Sequence, residues 1–422
     1  MKKQTLFLAC LFTVTFLQSC FRDQCTSTQE YLRYDPVMMS ASEFRKDIKT
    51  EDSRPLENPG KIYFYDKYLL INEMGRGIHF YDLSNAQNPV KVVFYDIPGN
   101  FDMAIKNNIL YVDNVVDLVS IDISDVVNPK TIHRVENYNG DFPQQNDMYR
   151  AYDLASKVTT VLDCSNSNFG QPWFWDNGGI FVLSEGDFNP SVINSNNSSG
   201  IVKTGVGGSF SRFTLYDDYL YTVNNSSLSV WSAKNSGLDK LGQNQFGWGI
   251  ETIFPYKDKL FIGSNTGMFI FDNSNPVNPV LKSVFNHAQA CDPVVVEDDI
   301  AYVTLREGNS CRGAENELDV IDIKSISDPK LIKAYPMKNP HGLAVKDKRI
   351  YLCEGSFGFK VLDANDALNV EEVNFDESIK SYDVIALNDN RLFVIGSDGF
   401  YQFDNSDPKN LILLSKIPIH TN

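Results

Sequence analysis

A short apolar run, usually ending in Asp and followed by a polar turn that often carries Asn-Pro or Asp-Pro, recurs seven times along the chain. It reads GIHFYDLSNAQNP at 77–89, LVSIDISDVVNP at 118–129, MFIFDNSNPVNP at 268–279 and LDVIDIKSISDP at 318–329. A repeat of roughly 40 residues built from short strands is typical of a β-propeller, in which each repeat forms one four-stranded blade. The pattern therefore predicts an all-β fold, a β-propeller of seven four-stranded blades.

The seven copies leave one stretch of the chain unmatched. They cover residues 60–97, 98–137, 208–249, 250–290, 291–339, 340–379 and 380–419. The insertion at 138–207 is rich in Asn, Ser and Gly, and it contains the strand-like segment GGIFVLSEGD at 178–187. Because a long tract without the repeat can hold a degenerate blade, eight blades are the alternative.

A tight polar turn separates the first and second strands, A and B, of every copy. Asp and Asn tolerate the left-handed conformations of such turns, so a meander of hairpins is expected. The turn pairs are Asp66-Lys67, Asn107-Asn108, Asp217-Asp218, Asp258-Lys259, Asp298-Asp299, Asp347-Lys348 and Asp389-Asn390.

An acidic residue closes the third strand, C, in six copies. A side chain there can cap the turn into strand D, whereas calcium would need several convergent oxygens and the D-x-[DN]-x-[DN]-G spacing, which these turns lack. We therefore predict turn caps, with no metal site and no cofactor. The residues are Asp82, Asp122, Asp272, Asp322, Asp363 and Asp404, with Ser232 at the same place in the third copy.

The residue that opens strand A is ionisable in all seven copies, and strand A is the innermost strand of a propeller blade. Radial symmetry would gather these residues around one end of the central channel. They could simply pair with each other, or they could form a site for a polar ligand in which crowded charges raise carboxylate pKa values and keep His341 protonated. The seven residues are Lys61, Asp102, Arg212, Glu251, Asp292, His341 and Asp383.

The insertion connects a strand D to a strand A, so it falls at the same end of the channel. Its Trp173 and Trp175 could stack on a sugar ring or pack the loop onto the blades. Cys291 opens a strand A and Cys311 lies in the long B to C loop of the same copy, so a Cys291–Cys311 disulfide pinning that loop is an open alternative to free thiols.

The N-terminal segment has the features of an export signal peptide. Lys2 and Lys3 precede an apolar stretch at 6–17 that is too short to span a bilayer. The tetrapeptide Leu-Gln-Ser-Cys that ends at Cys20 resembles a bacterial lipobox, whose Cys is acylated after cleavage. We expect a signal peptide at 1–19, a lipid-anchored tether at 20–59 with a short helix at 42–48, and a propeller at 60–419. The expected location is the cell envelope, at the outer membrane, with the lipid as the membrane contact.

Net charge limits the kinds of partner that the protein can bind, and cysteine spacing limits the kinds of metal or redox site that it can hold. Lys2 and Lys3 are the only charged residues of the signal, so its removal takes the formal net charge from −16 to −18. Such an acidic chain repels nucleic-acid phosphates, so nucleic acid is excluded as a partner. Five cysteines remain besides Cys10 and Cys20, and none forms a C-x-x-C pair.

Phrases such as LDVIDIKSISDPKLI at 318–332 and GMFIFDNSNPVNP at 267–279 resemble the LVIVD-repeat family of exported β-propellers, and the Cys-led tail is similar to that of Bacteroidetes lipoproteins. The resemblance covers most of 60–419 outside the insertion, and the third copy departs from it by lacking the terminal Asp. It implies the fold and export, and it carries no catalytic residue over to this chain.

The sequence favours a binding or scaffold module for a glycan, peptide or protein partner, because no nucleophile, metal or nucleotide motif is present. The alternative is an enzyme that acts on a polar substrate such as a glycan through carboxylates at the channel mouth, and a purely structural element of an envelope complex is the third class.

Overall fold

The chain folds almost entirely into short antiparallel strands, as the repeat predicts. The structure is a computed structural model, and it describes residues 26–52, 54–138, 148–163, 173–176, 179–183, 205–209, 211–234, 237–286, 293–306 and 316–420. It divides into two compact units. Unit 1 comprises Met1–Pro36 and Asp153–Phe188, and unit 2 comprises Val37–Tyr152 and Asn189–Asn422.

Each of the seven sequence copies forms one blade of unit 2, with strands A to D in chain order hydrogen-bonded to their neighbours. The A strands are β3 (Pro59–Tyr65), β7 (Met103–Lys106), β15 (Phe213–Tyr216), β19 (Ile250–Tyr256), β23 (Val294–Glu297), β27 (Leu343–Lys346) and β31 (Ser381–Ala386). The B strands are β4 (Tyr68–Glu73), β8 (Ile109–Asp113), β16 (Tyr219–Val223), β20 (Lys259–Ser264), β24 (Ile300–Leu305), β28 (Arg349–Cys353) and β32 (Arg391–Gly396).

The outer half of each blade completes the meander. The C strands are β5 (Gly77–Asp82), β9 (Leu118–Asp122), β17 (Ser227–Ser232), β21 (Gly267–Asp272), β25 (Glu317–Asp322), β29 (Phe359–Asp363) and β33 (Gly399–Asp404). The D strands are β6 (Val90–Asp96), β10 (Lys130–Val135), β18 (Asp239–Gln245), β22 (Val280–Asn286), β26 (Lys330–Pro336), β30 (Glu371–Asp376) and β34 (Ile412–Pro418).

The A strands line a central channel and close a ring, because each contacts the A strand of the next blade and β31 contacts β3. Blade 1 also packs on blade 7 through buried side chains that include Phe64 and Phe393, whose rings meet edge to face. We call the end that carries the D to A connections and B to C loops the ring face. The opposite end, which carries the A to B and C to D turns, is the turn face.

The turns into strand D are capped as predicted. The A to B turns also lie where predicted, except in blade 4, where the turn begins at Lys257, one residue before the predicted pair Asp258-Lys259. Every A to B turn contains a residue with positive φ, and these residues are Asp66, Asn107, Asn108, Asp217, Lys257, Asp298, Asp347, Lys348 and Asn390. At the end of strand C, a side-chain oxygen accepts the backbone N–H two residues later at 2.7–3.0 Å for the six Asp residues and 3.4 Å for Ser232. The repeated Asp therefore caps the turn into strand D.

The segment expected to be a tether is largely structured from Thr26 onward. Its short helix is α1 (Ala41–Phe44), which is followed by β2 (Lys49–Glu51) on the outer edge of β6. Phe44 is buried and meets Tyr149 edge to face, so the part of the segment around the helix packs within unit 2. In the described part of the chain, no helix is both long and apolar enough to cross a membrane.

The insertion also departs from the expected domain plan. Part of it joins the N-terminal segment in an eighth four-stranded sheet, with the order β11-β1-β13-β12. These strands are β1 (Thr26–Ser40), β11 (Met148–Asp163), β12 (Trp173–Asp176) and β13 (Gly179–Leu183). The strand-like segment at 178–187 thus contributes β13 to a sheet. Because β1 from the N-terminal segment lies between β11 and β13, this sheet is not a sequential meander. The last part of the insertion forms β14 (Val206–Gly207), which pairs with β3 in unit 2.

Candidate functional site

The structure describes six of the seven residues that open strand A, and all six lie at the ring-face end of their blades. Asp292 lies outside the described residues, as do Cys20, Cys291 and Cys311. Lys61, Asp102, His341 and Asp383 are buried, whereas Glu251 is partly buried and Arg212 is exposed. The alignment therefore placed these residues at one end of the channel correctly, but most of them do not face solvent.

Lys61 and Asp102 form a buried ion pair between blades 1 and 2. Asp102 Oδ2 also accepts the backbone N–H of Arg212 at 2.7 Å, and its Oδ1 accepts that of Met103 at 2.8 Å. Burial lowers the pKa of Lys61, and the charge of Asp102 opposes that effect. Because its partners come from three consecutive blades, Asp102 holds this side of the ring together.

Asp383 is held by the segment that leaves the insertion. Its Oδ1 accepts the backbone N–H groups of Ser209 and Val384, both at 2.9 Å, while its buried Oδ2 has no hydrogen-bond partner among the described residues. The Ser209 hydroxyl in turn accepts the N–H of Leu343 at 2.7 Å. Burial raises the pKa of Asp383 to about 7, and the nearby positive charge of Lys61 opposes the rise.

The stability of the protein should depend on pH through Asp383. Because the folded state holds this proton more tightly than the unfolded chain, the contribution of Asp383 to the unfolding free energy falls as pH rises from about 4 to about 7. Compared with the wild type, Asp383→Asn should lose less stability over that range, by on the order of a few kcal/mol. Urea unfolding at pH 5 and pH 8 measures the difference. The control Asp328→Asn alters an exposed carboxylate, and an equal pH dependence in both variants would contradict the assignment.

The surroundings of His341 do not support the expectation of a protonated histidine, because they lower its pKa. The side chain is buried, and its Nε2 lies 3.4 Å from Nη1 of Arg306. Burial first, and then the positive charge of Arg306, lower the pKa of His341 well below its usual value. The sequence showed an excess of carboxylates at this end of the channel. It could not show that Arg306, which follows strand B of blade 5, would be the charged group in contact with His341.

A short extended segment of the insertion occupies part of the channel. Residues 205–209 run beside β3, where β14 pairs antiparallel with Tyr63 and Phe64. The Gly205 N–H donates to Ile105 O at 3.0 Å, and a Cβ added at Gly205 would overlap the ring of Tyr63. Only glycine fits this close approach, so Gly205 allows the insertion to enter the channel.

A second set of carboxylates at the ring face was missed by the sequence analysis. Glu73 and Asp113 each end a strand B, and Glu354 directly follows one. Each accepts two backbone N–H groups from the connection that leads into strand A of its own blade. The donors are Glu57 and Asn58 for Glu73, Phe101 and Asp102 for Asp113, and Lys338 and Asn339 for Glu354, at 2.6–3.1 Å. Burial, followed by the charge of Asp102, raises the pKa of Asp113 to about 6. The sequence feature that could have indicated this set is an acidic residue at the end of strand B, in INE at 71–73, YVD at 111–113 and LCE at 352–354.

Three large aromatic side chains are exposed on the ring face. Trp248 is 75% exposed in the connection between blades 3 and 4, Phe101 is 43% exposed between blades 1 and 2, and Phe357 is 45% exposed in the B to C loop of blade 6. Among the residues whose exposure the structure describes, no other Trp or Phe is exposed. Trp173 and Trp175 lie in β12 of unit 1, so the expected loop platform is a strand.

The described residues contain no group of three His, Cys, Asp or Glu side chains arranged to hold a metal ion. Cys353 is a buried free thiol whose pKa is raised by burial, and it lies at the end of a strand B.

Comparison with solved structures finds proteins of the same fold. A candidate 6-phosphogluconolactonase from Bacteroides uniformis superposes with a TM-score of 0.55 at 9% identity, covering 86% of this chain and 98% of that one. The periplasmic gluconolactonase PpgL of Pseudomonas aeruginosa gives 0.52 at 9%, covering 86% and 97%. A candidate 6-phosphogluconolactonase from Bacteroides fragilis gives 0.52 at 8%, covering 86% and 96%.

No protein-family model matches the sequence, and no curated protein matches it either. At identities of 8–9%, the likeness to the solved structures concerns the fold alone. Together with the closed ring of seven sequential meanders, it shows that the chain is a β-propeller protein.

Proposed function

We propose that this protein is a lipid-anchored binding module of the bacterial cell envelope, and that its ring face holds a protein partner. One observation carries the proposal: the three exposed aromatic side chains, Phe101, Trp248 and Phe357, all lie in loops of that face. Exposed aromatic residues mark interaction surfaces, and Trp in particular dominates the energy of protein interfaces.

The polypeptide nature of the partner follows from the spacing of the aromatic residues. They stand between blades 1 and 2, between blades 3 and 4, and on blade 6, so they are separated by two or three blades around the ring. A single sugar ring or a short glycan stacked on one of them would leave the others exposed. A protein interface of standard size, about 800 Å² on each partner, can span all three.

The loops that carry these aromatic residues are held in place before any partner binds. The Phe101 N–H donates to Asp113 Oδ1 at 2.7 Å, the Gly249 N–H next to Trp248 donates to Asn225 Oδ1 at 3.2 Å, and the Phe357 N–H donates to Glu354 O at 2.9 Å. Ordering of loops is a large cost of association, so anchored loops favour binding.

The alternative of a glycan-cleaving enzyme has less support. Such an enzyme needs two carboxylates that reach the substrate. Among the described residues, Asp102, Asp113 and Asp383 are each at most 8% exposed and are engaged by backbone N–H groups or by Lys61. These contacts favour a structural role for the carboxylates and a binding role for the face above them.

The proposal includes a lipid anchor at Cys20 and membership of the exported LVIVD-repeat β-propellers. The lipobox-like tetrapeptide ending at Cys20 and the LVIVD-like repeats support an exported lipoprotein. Labelling cells with radioactive palmitate should mark the wild type and the control Cys25→Ser, whereas Cys20→Ser should lose the label. Retention of the label in Cys20→Ser would contradict lipid attachment at that residue.

Site-specific photo-crosslinking in intact cells tests the binding face. A benzoylphenylalanine placed at Phe101, Trp248 or Phe357 should crosslink the same envelope protein from all three positions. The matched control is Leu368, which is 57% exposed in a C to D turn of the turn face and should not crosslink it. An equal yield from Leu368, or three unrelated products, would overturn the proposal, and loss of glycan-array binding in Trp248→Ala would assign the face to a glycan instead.

A further inference from the structure

A cavity of about 550 Å³ lies in the channel beside the segment from the insertion. Gly207 to Ser209 form one wall, and the A strands of blades 4 to 7 form the others. The lining extends to Asp298, Asp347 and Asn388, which are exposed on the turn face. The cavity thus extends along the channel to the end of the propeller opposite the three exposed aromatic residues. Its volume falls within the range of ligand pockets.

The walls of this cavity are mainly strand edges. In the described part of the chain, β19, β23, β27 and β31 each pair with a strand on their outer side only. The Leu343 N–H points into the channel, where it donates to Ser209 Oγ. Since the direction of backbone groups alternates along a strand, Val345 directs its own N–H and C=O to the same side. The cavity therefore presents the C=O of Leu343 and the N–H and C=O of Val345, whereas the Leu343 N–H is already engaged by Ser209.

The channel already accommodates one extended segment. β14 pairs antiparallel with the inner edge of β3, through Val206 with Phe64 and Gly207 with Tyr63. The inner edge of a blade is thus able to pair with a further strand in this protein, and the space beside β27 lies next to that segment.

Two charged side chains of the lining, Glu297 and Lys346, are engaged within the protein, whereas Asp298, Asp347 and Lys348 lie exposed at its rim. Glu297 accepts the N–H groups of Asp347 and Lys348 at 2.8 and 2.7 Å, and Lys346 Nζ donates to Leu387 O at 2.6 Å. The lining also contains apolar side chains, such as Phe254, Val345 and Ala386. Recognition in this cavity therefore depends on backbone hydrogen bonds and shape more than on a ligand charge.

We propose that the cavity binds an extended peptide segment of about four residues, which pairs with the inner edge of β27. The length follows from β27 itself, which has four residues that all line the cavity. Strand addition at an exposed edge is a known mode of peptide recognition, in which main-chain hydrogen bonds supply the affinity. This site does not include the exposed aromatic residues of the ring face, so peptide binding here can be tested independently of the function proposed above.

Titration calorimetry of the detergent-purified full-length protein with the capped peptide acetyl-Thr-Val-Thr-Val-amide tests the proposal. We expect saturable one-to-one binding, and binding at least ten-fold weaker for the same peptide with its backbone nitrogens methylated, because methylation removes the N–H donors. Equal affinity for the methylated peptide, no binding of the unmethylated one, or binding of maltose in its place would each overturn the proposal.

A pair of variants locates the peptide. Asn388→Trp places a large side chain at the mouth of the cavity and should weaken peptide binding at least ten-fold. Asn410→Trp makes the same change at an exposed C to D turn of the same face that does not line the cavity, and its affinity should stay within two-fold of the wild type. Because both positions are exposed, both variants should unfold at the urea concentration of the wild type, and equal affinities in the two would exclude the cavity as the site.

Discussion

Asp102→Ala is expected to destabilise the folded protein by about 3–5 kcal/mol, because removal of one partner of a buried ion pair leaves the other charge uncompensated. The substitution removes the partner of Lys61 and also the acceptor of the Arg212 and Met103 N–H groups. All these groups lie at the junction of blades 1, 2 and 3. Urea unfolding followed by far-UV circular dichroism measures the loss.

Two further variants show whether the loss arises from the buried charge. Asp328→Ala removes one partner of the exposed pair with Lys330, whose side chains are 69% and 71% exposed, and should cost less than about 1 kcal/mol. The double variant Lys61→Met with Asp102→Leu removes both charges and should recover part of the loss. If Asp102→Ala proves no more costly than Asp328→Ala, the ion pair does not hold the ring together.

Trp231→Ala should destabilise the protein by a similar amount, about 3–5 kcal/mol, through the cavity that it leaves. Trp231 lies on strand C of blade 3 and is 1% exposed, and its Nε1–H donates to Thr222 Oγ1 at 2.9 Å. It packs in one cluster with Ala104 and Tyr111 of blade 2. The insertion interrupts the repeat between these two blades, so their contact depends on side-chain packing of this kind.

Trp248→Ala is the matched control for that experiment, since it removes the same side chain from an exposed position. It should change the unfolding free energy by less than about 0.5 kcal/mol. Thermal unfolding of the two variants side by side measures the contrast. Equal destabilisation would mean that Trp248 is packed against the blades and is not available to a partner.

The blades were predictable because their signals are local. Asp and Asn in the A to B turns adopt positive φ, and the Asp that closes strand C accepts an N–H two residues later. Both effects depend on residues within the same turn, so periodic recurrence of the residue types was sufficient to predict them.

The parts that escaped prediction depend on contacts between distant segments. β1 pairs with β13 across about 150 residues of chain, and β14 enters the channel because Gly205 leaves room beside Tyr63. Neither segment shows the repeat, so nothing in its own sequence indicates which strand it joins. For this reason the strands in the segment expected to be a tether, and in the segment of Trp173 and Trp175, were not predicted.

For the candidate site, alignment of the copies predicted where the ionisable residues lie in the propeller, but it did not predict their burial or their hydrogen-bond partners. It gathered Lys61, Asp102 and Asp383 at one end of the channel, as the structure has them. Burial depends on how the blades and the insertion pack, so the raised pKa of Asp383 and the lowered pKa of His341 required the structure. The exposure of the three aromatic residues could not be predicted from the sequence either, because exposure is a property of the folded chain.

Under the proposed function, the ring face binds a protein through its exposed aromatic residues. The most direct measurement is the dissociation constant of the protein crosslinked at Trp248, compared between the wild type, Trp248→Ala and the turn-face control Leu368→Ala. A hot-spot residue contributes 2 kcal/mol or more, so Trp248→Ala should bind the partner about 30-fold more weakly, and Leu368→Ala should bind it like the wild type. An unchanged affinity in Trp248→Ala, or an equal loss in Leu368→Ala, would contradict the claim.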